Sequence, residues 1–319
     1  MKKLLLYVFG IIFFCFLIPA VFTTKFSINQ NGIENVEVSV VENEIPAEII
    51  EYDYNEYSKI NLLHKDTGNV EEVDLDQYLL GVVAAEMPAD YEIEALKAQA
   101  MVARSYTLYK ITKSKPHQEA DICDSHLCCQ AWISKEKRFE RWDIGKREEN
   151  WAKIVRAVSE TGGKIITYNG EVIDAFFHAN SGGVTEVPVN VWGGTNFPYL
   201  QAVATSGEDA YTQYSSNLEL SKDDVISKIK ETHGNIEIDW SNSECIKVIE
   251  YTESGRIKTI QFGNVNLSGV EARTIFSLKS ANFKVTIGEN VQFEVTGYGH
   301  GVGMSQTGAN TLAKERKNM

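Results

Sequence analysis

The feature that most constrains this chain is its start, where Lys2 and Lys3 precede an uncharged apolar run over residues 4–23. About 20 apolar residues in a helix span a hydrocarbon core of roughly 30 Å. A cleaved signal peptide is the alternative, but its apolar region is usually about 7–15 residues long and is followed by a small-residue cleavage site. The run therefore predicts one retained transmembrane helix within residues 1–25. The flanking lysines predict a single-pass protein of the cell membrane, with a cytoplasmic N-terminus and the rest of the chain outside the cytoplasm.

Charge divides the remainder of the chain. Residues 26–58 contain acidic residues but no Lys or Arg, which is typical of a juxtamembrane tether, here assigned to residues 26–60. Residues 61–319 then form the globular ectodomain, and a chain that is 43% hydrophobic has ample material for its core. A formal net charge of −13 argues against a general nucleic-acid-binding role, which requires a basic surface. An anionic substrate would have to meet local cations.

The pattern of residues predicts an α+β fold. Asp74 or Asp76 is a suitable N-cap for a helix that ends near Glu86, because Pro88 disfavours helical backbone at the residue before it. A second, alanine-rich helix is predicted over residues 88–113. Residues 164–178 favour a hairpin that turns at 169–170, and residues 245–296 alternate as strands do. We expect the helical segment to pack with mixed or antiparallel β-structure.

Glu86 is the carboxylate that attracts most interest. It lies in an apolar setting at a helix C-terminus, and both desolvation and the helix dipole favour its protonated form. A carboxyl group that stays protonated near neutral pH can serve as a general acid. The residues alone favour the alternative, a semi-buried glutamate that pairs with a base such as Arg104.

A cluster of cysteines and histidines follows between residues 117 and 129. Its members are His117, Cys123, His126, Cys128 and Cys129. Tetrahedral Zn²⁺ binds cysteine and histidine side chains, and a metal held here would have a structural role. The alternative is a disulfide, since Cys245 makes the number of cysteines outside the apolar run even.

Two glycine-rich segments, 178–186 and 297–306, carry polar side chains that could orient a substrate. Dense glycines let backbone N–H groups approach a ligand closely, although tight turns with surface histidines have the same composition.

Together these segments resemble the SpoIID/LytB type of stage II sporulation protein D family over nearly the whole chain. The leading motif is VVAAEMP at residues 82–88, followed by EALKAQAMVARSY at 94–106. The further motifs are DIC at 121–123 with CQ at 129–130, SGGVTE at 181–186, and GHGVGMSQ at 299–306.

The resemblance implies a catalytic ectodomain with lytic transglycosylase activity. Such an enzyme cuts peptidoglycan between N-acetylmuramic acid and N-acetylglucosamine, preferring strands without stem peptides, during engulfment in sporulation. Glu86 matches the family's catalytic acid/base. The candidate substrate-binding residues are Arg104, Ser105, Tyr106, His178, Asn180, Ser181, Tyr298, His300 and Ser305, with Trp192 as a further aromatic platform.

The resemblance also implies a structural zinc ion, although the chemistry needs no cofactor. The implied ligands are His117, Cys123, Cys128 and Cys129. Cys128 stands where relatives carry histidine, so His126 is the alternative fourth ligand. The expected partners are peptidoglycan glycan strands, the membrane through the N-terminal helix, an amidase/endopeptidase of the stage II sporulation protein P type, and a scaffold of the M type.

Three other functions remain open on the sequence. A hydrolytic muramidase would need a second acid such as Glu92, Glu94 or Asp174. A zinc peptidase or amidase would use the metal for catalysis, and a wall-binding scaffold would perform no chemistry.

Overall fold

The computed structural model describes residues 47–51, 58–195 and 197–317, in which helices and strands are interspersed. The helices are α1 Leu75–Glu86, α2 Ile93–Tyr109, α3 Lys135–Arg141, α4 Arg147–Ser159, α5 Pro188–Trp192, α6 Lys222–His233, α7 Gly269–Ile275 and α8 Gln306–Lys317. The strands are β1 Ala47–Glu51, β2 Lys59–Leu63, β3 Val70–Asp74, β4 Ile122–Cys123, β5 Lys164–Tyr168, β6 Glu171–Val172, β7 Phe177–His178, β8 Ser215–Leu220, β9 Ile246–Tyr251, β10 Ile257–Phe262, β11 Val265–Ser268, β12 Phe283–Ile287, β13 Val291–Thr296 and β14 Met304–Ser305. The predicted α+β character is therefore correct.

Helix α1 has the ends that its sequence predicts. The Asp74 side chain accepts hydrogen bonds from the backbone N–H groups of Asp76 and Gln77, which otherwise lack helical partners. The helix stops at Glu86 because Met87, before Pro88, is extended (φ −121°, ψ 143°). Helix α2 begins at Ile93, later than predicted, because a turn that is closed by the Tyr91 N–H to the Pro88 carbonyl intervenes.

Helix α2 is the centre of the first hydrophobic core. It contacts α1, α4, α8 and strand β5. Ala95, Ala100 and Ala103 are buried on it, and their small side chains let the neighbouring elements approach closely. This packing fixes the position of the end of α1, where Glu86 lies.

A second hydrophobic core lies between two three-stranded antiparallel sheets, β8-β13-β12 and β9-β10-β11, and helices α6 and α7. Phe276 is in its middle, with ring centroids 5.4 Å from Phe262 and 4.9 Å from Phe293. Offset aromatic pairs of this kind add about 0.5–1.5 kcal/mol each beyond the area they bury.

Strands β7 and β14 bring two distant parts of the chain together. They pair in parallel, with Phe177 opposite Met304 and His178 opposite Ser305. Isolated bridges between Asn180 and Tyr298 and between Glu186 and Val302 extend this contact. Both glycine-rich segments identified in the sequence therefore lie side by side.

The hairpin predicted around residues 169–170 is present between β5 and β6. Asn169 and Gly170 have φ values of 51° and 77°, as a two-residue turn with two positive φ angles requires. Only β5 and β6 belong to it, because β7 pairs with β14 instead. Strand β1, within the predicted tether, pairs antiparallel with β5.

The predicted single-pass membrane location requires correction. No helix in residues 47–51, 58–195 and 197–317 is long and apolar enough to cross a membrane. The longest, α2, has 17 residues and carries the charged side chains of Glu94, Lys97 and Arg104. Residues 4–23, on which the transmembrane helix was predicted, lie outside the described residues.

Candidate active site

Glu86 is a largely buried carboxyl group at the C-terminal end of α1. Its Oε1 accepts a hydrogen bond of 2.7 Å from the Ala131 N–H. Burial raises the pKa of Glu86 above its usual value, while the hydrogen bonds from Ala131 and from the Gln306 side chain act in the opposite direction. Desolvation disfavours the ionised form, so the environment favours a protonated acid, as the sequence predicts.

Glu86 opens onto a cleft of about 880 Å³. Aromatic rings form much of the cleft wall: Tyr91, Tyr106, Phe176, Phe177, Trp192 and Tyr298. Trp192 is 51% exposed and lies against Phe176 and His300, with ring centroids 4.6 Å and 5.0 Å away. Flat apolar faces beside polar groups are what a pyranose ring needs for stacking and hydrogen bonding.

Cations also line the cleft, in a chain whose overall charge is strongly negative. They are Lys110, Arg138 and Arg273, and Glu86 is the one carboxyl group that lines the cleft among the described residues. Lys110 pairs with Asp174 at 3.0 Å, just behind the wall. A cleft with this lining attracts anionic ligands despite the protein's net charge.

Two histidines in the cleft wall are neutral and have different tautomers. His178 Nδ1 lies 3.1 Å from the Val302 carbonyl oxygen, which can only accept, so Nδ1 carries the proton. Its Nε2 is buried without a hydrogen-bond partner among the described residues. His300 Nδ1 instead accepts from the Val302 N–H at 3.0 Å. Burial lowers the pKa of His178 to about 4 and that of His300 to about 3.

Five of the predicted substrate-binding residues do not line the cleft, and the first two are on α2. Arg104 is fully buried and donates to the carbonyls of Thr161 and Lys164 at 2.8 and 3.3 Å. Ser105 Oγ donates to the Met101 carbonyl and accepts from the Ile166 N–H. We therefore correct both assignments: these side chains join α2 to the segment that leads into β5.

The other three, Asn180, Ser181 and Ser305, are hydrogen-bonded to Glu208, a residue that sequence reasoning missed. Glu208 is 2% exposed and accepts hydrogen bonds from the hydroxyls of Ser181, Thr205, Ser305 and Thr307. Asn180 Nδ2 donates to the Glu208 carbonyl. Burial alone would raise the pKa of Glu208, but the hydroxyl donors lower it to about 2. This network joins the two glycine-rich segments to each other through Ser181 and Ser305.

Gln306 is a second residue that the sequence did not single out. It is the first residue of α8, it lines the cleft, and its Nε2 lies 3.2 Å from Oε1 of the buried Gln99. Ser305 and Thr307, on either side of it, are both held by Glu208. The Glu208 network therefore fixes the residue that hydrogen-bonds Glu86.

The predicted metal ligands His117, Cys123, Cys128 and Cys129 come together with all four ligand atoms within 4.8 Å of one another. His117 Nε2 lies 3.7 Å from Cys128 Sγ and 3.5 Å from Cys129 Sγ, and the two sulfurs are 3.9 Å apart. Tetrahedral zinc with Zn–S bonds of about 2.3 Å and Zn–N bonds of about 2.0 Å separates two sulfurs by about 3.8 Å and sulfur from nitrogen by about 3.5 Å. These residues therefore fit such an ion.

The alternatives left open for this cluster can now be compared. The group of side chains whose ligand atoms lie within 4.8 Å of one another contains Cys128 and not His126, so the geometry favours Cys128 as the fourth candidate ligand. The cysteines at 123, 128, 129 and 245 are all free, whereas a disulfide requires sulfurs about 2.05 Å apart. The segment from Cys123 to Ala131 carries three of the four side chains of this cluster and also the N–H group that donates to Glu86.

Comparison with known proteins agrees with this arrangement of motifs. Residues 64–168 match the family model described as stage II sporulation protein, SpoIID. Stage II sporulation protein D of Bacillus subtilis (strain 168) is 34% identical over 253 residues, 78% of this chain and 71% of that protein. The protein of the same name from Bacillus amyloliquefaciens is 30% identical over 256 residues, 79% of this chain and 72% of that protein. The amidase enhancer of Bacillus subtilis (strain 168) is 27% identical over 293 residues, 74% of this chain but 37% of that protein.

The match to the family model assigns the chain to the class of sporulation proteins with a SpoIID domain. The chain belongs to the stage II sporulation protein D family.

Proposed function

We propose that this protein is a lytic transglycosylase that cuts the glycan strands of peptidoglycan between N-acetylmuramic acid and N-acetylglucosamine. The observation that carries the proposal is Glu86, a partly buried carboxyl group with a raised pKa that lines a cleft together with aromatic rings and cations. The name of the relative called amidase enhancer supports a cell-wall role.

The lytic reaction needs one carboxyl group, and Glu86 can act twice. As an acid it gives its proton to the glycosidic oxygen while the bond from that oxygen to C1 of muramic acid breaks. As a carboxylate it then accepts the proton of the muramic acid O6 hydroxyl, and O6 forms a bond to C1. The product is a 1,6-anhydro sugar and Glu86 is protonated again. Because the nucleophile belongs to the substrate, its effective concentration is high.

A hydrolytic muramidase requires a second carboxylate that activates water or attacks C1. Of the candidates for that role, Asp174 is buried behind the cleft wall and pairs with Lys110 at 3.0 Å. Glu92 and Glu94 do not line the cleft. These positions favour the lytic reaction.

The metal cluster favours a structural ion over a catalytic one. Catalytic zinc keeps a position open for water, while His117 and three cysteines supply all four ligands of a closed tetrahedral site. The ion, when bound, would fix the loop that carries Ala131, whose N–H donates to Glu86. A zinc peptidase is therefore the weaker candidate.

We further propose an amidase as functional partner, because glycan freed of stem peptides is the expected substrate. We likewise propose a scaffold of the stage II sporulation protein M type as a second partner.

Mass spectrometry of the products from denuded glycan tests the proposal. We expect anhydro-muramyl ends from the unaltered protein and none from Glu86→Gln. Asp174→Asn is the matched control, since it neutralises a buried carboxyl group behind the same wall and should leave the anhydro product. Reducing muramic acid ends in place of anhydro ends would show hydrolysis and overturn the proposal.

A further inference from the structure

Arg273, on α7, is a guanidinium for which the fold supplies no partner. It is partly buried and lines the cleft together with Tyr298, Gly299 and His300. Among the described residues no carboxylate pairs with its side chain, and no oxygen accepts a hydrogen bond from it. Of the other two cations of this cleft, Lys110 pairs with Asp174, and Arg138 lies over the Trp142 ring at 4.8 Å from its centroid.

A charged group that is withdrawn from water without a partner costs free energy, so such a group usually meets an anion in the working complex. Burial lowers the pKa of Arg273, with Tyr298 acting in the opposite direction. Its positive charge also helps to hold the pKa values of His178 and His300 low. The cleft that Arg273 lines also includes these two histidines and Tyr298.

The surroundings of Arg273 add positive charge. Lys279 lies over the Tyr298 ring at 4.6 Å from its centroid, and its Nζ is 3.4 Å from the Tyr298 hydroxyl. Glu186 lines a small cavity together with Arg273, but both oxygens of its carboxylate already accept hydrogen bonds from hydroxyl and N–H donors. A planar guanidinium with free N–H groups in such a place matches a carboxylate, which it can bind with two parallel hydrogen bonds.

We infer that Arg273 is the carboxylate-binding position of the cleft, and that it takes the lactyl carboxylate of a muramic acid residue that bears no stem peptide. The inference rests on the proposed function for the identity of the strand. Arg104, the other arginine considered for substrate binding, is fully buried and donates to the carbonyls of Thr161 and Lys164 instead. A carboxylate of the stem peptide has the same chemistry and is the competing source.

Binding measurements in the full chain with Glu86→Gln, which prevents cleavage, test the inference. The ligands are denuded strands, the same strands with their lactyl carboxylates converted to methylamides, and strands that keep their stem peptides. We expect denuded strands to bind about tenfold or more tightly than the methylamide strands, the range of a charge-assisted hydrogen bond. Arg273→Gln should abolish that difference, and Arg273→Lys should restore part of it.

Arg156→Gln is the matched control, because it removes the same charge from an exposed residue of α4. It should leave every affinity unchanged. If the chain with Arg273 intact binds denuded and methylamide strands equally well, the inference is overturned. That result needs no variant of Arg273. An equal loss for both ligands in Arg273→Gln also overturns it, since that is the signature of a structural role. Tighter binding of strands with stem peptides overturns the lactyl assignment.

These results are separate from those for the proposed function. If the unaltered protein releases no product yet binds carboxylates through Arg273, the proposed reaction fails and the inference stands. If it forms anhydro ends while Arg273→Gln binds all strands normally, the inference fails and the reaction stands.

Discussion

The backbone N–H of Ala131 donates a 2.7 Å hydrogen bond to the side chain of Glu86, although the two residues lie on different elements. Ala131 follows the loop with three of the cluster's four ligands, so one short segment links the metal cluster with the candidate acid. A single N–H lowers the pKa of a carboxyl group less than burial raises it here. The contact orients Glu86 without making it a permanent anion.

The first prediction concerns Glu86→Gln and pH. The variant should lose activity by a factor on the order of 10²–10⁴, the usual contribution of a general acid. Because the folded pKa of Glu86 is raised, stability is fully present below its unfolded pKa and is lost as pH rises through the folded pKa. The free energy of unfolding of Glu86→Gln, relative to the unaltered protein, should therefore rise with pH in urea titrations. A difference independent of pH would contradict the raised pKa.

The second prediction concerns the buried Glu208. Its folded pKa of about 2 lies below the unfolded value, so its contribution is present above the unfolded pKa and is lost as pH falls towards 2. At 1.36 kcal/mol per pKa unit, Glu208→Gln should cost about 3 kcal/mol at pH 7. Denaturant titration measures the loss, and Glu253→Gln, an exposed control, should change stability by less than about 0.5 kcal/mol. Equal effects of the two substitutions would argue against the Glu208 network.

The third prediction concerns the neutral histidines of the cleft. Since the folded pKa values of His178 and His300 are about 4 and 3, protonation favours the unfolded chain, and stability present above the unfolded pKa is lost as pH falls. Between pH 6.5 and 4 each histidine should contribute a slope of up to about 1.4 kcal/mol per pH unit. His178→Gln should remove one such contribution. The control is His233→Gln, which replaces a histidine that contacts Glu271 outside the cleft. It should leave unchanged the pH dependence of stability that His178 and His300 contribute.

The fourth prediction concerns the metal cluster. The purified protein should contain about one zinc ion per chain by elemental analysis, and Cys123→Ser should lose it. Chelation should lower the melting temperature of the unaltered protein, because binding to the folded state alone stabilises it. Cys245→Ser is the matched control, since Cys245 is a free, buried cysteine outside the cluster. Zinc loss in both variants would contradict the ligand set.

Local patterns in the sequence predicted the parts of the structure that depend on neighbours in the chain. The N-cap at Asp74, the end of α1 at Glu86 and the turn at 169–170 follow from propensities of adjacent residues. The cysteines and histidines at 117–129 lie within thirteen residues, so their density indicated a possible metal cluster, whereas the choice of four among the five came from the family resemblance.

The misassigned residues depend on contacts with distant parts of the chain. Arg104 is on the predicted helix, but its carbonyl partners at Thr161 and Lys164 arrive from another element. The hydroxyls of Ser181 and Ser305 are occupied by Glu208, for which no local pattern gave a signal. Arg138 and Arg273 belong to no motif and reach the cleft through tertiary packing alone.

The pairing of β7 with β14 has a consequence for how the protein is made. Glu86 and the cysteine cluster leave the ribosome long before His300 and Gln306, which complete the cleft. Contacts at this sequence separation form late, because the loop between them must close first. A nascent chain thus carries Glu86 and the cysteine cluster without a complete cleft until residues 298–306 have been added.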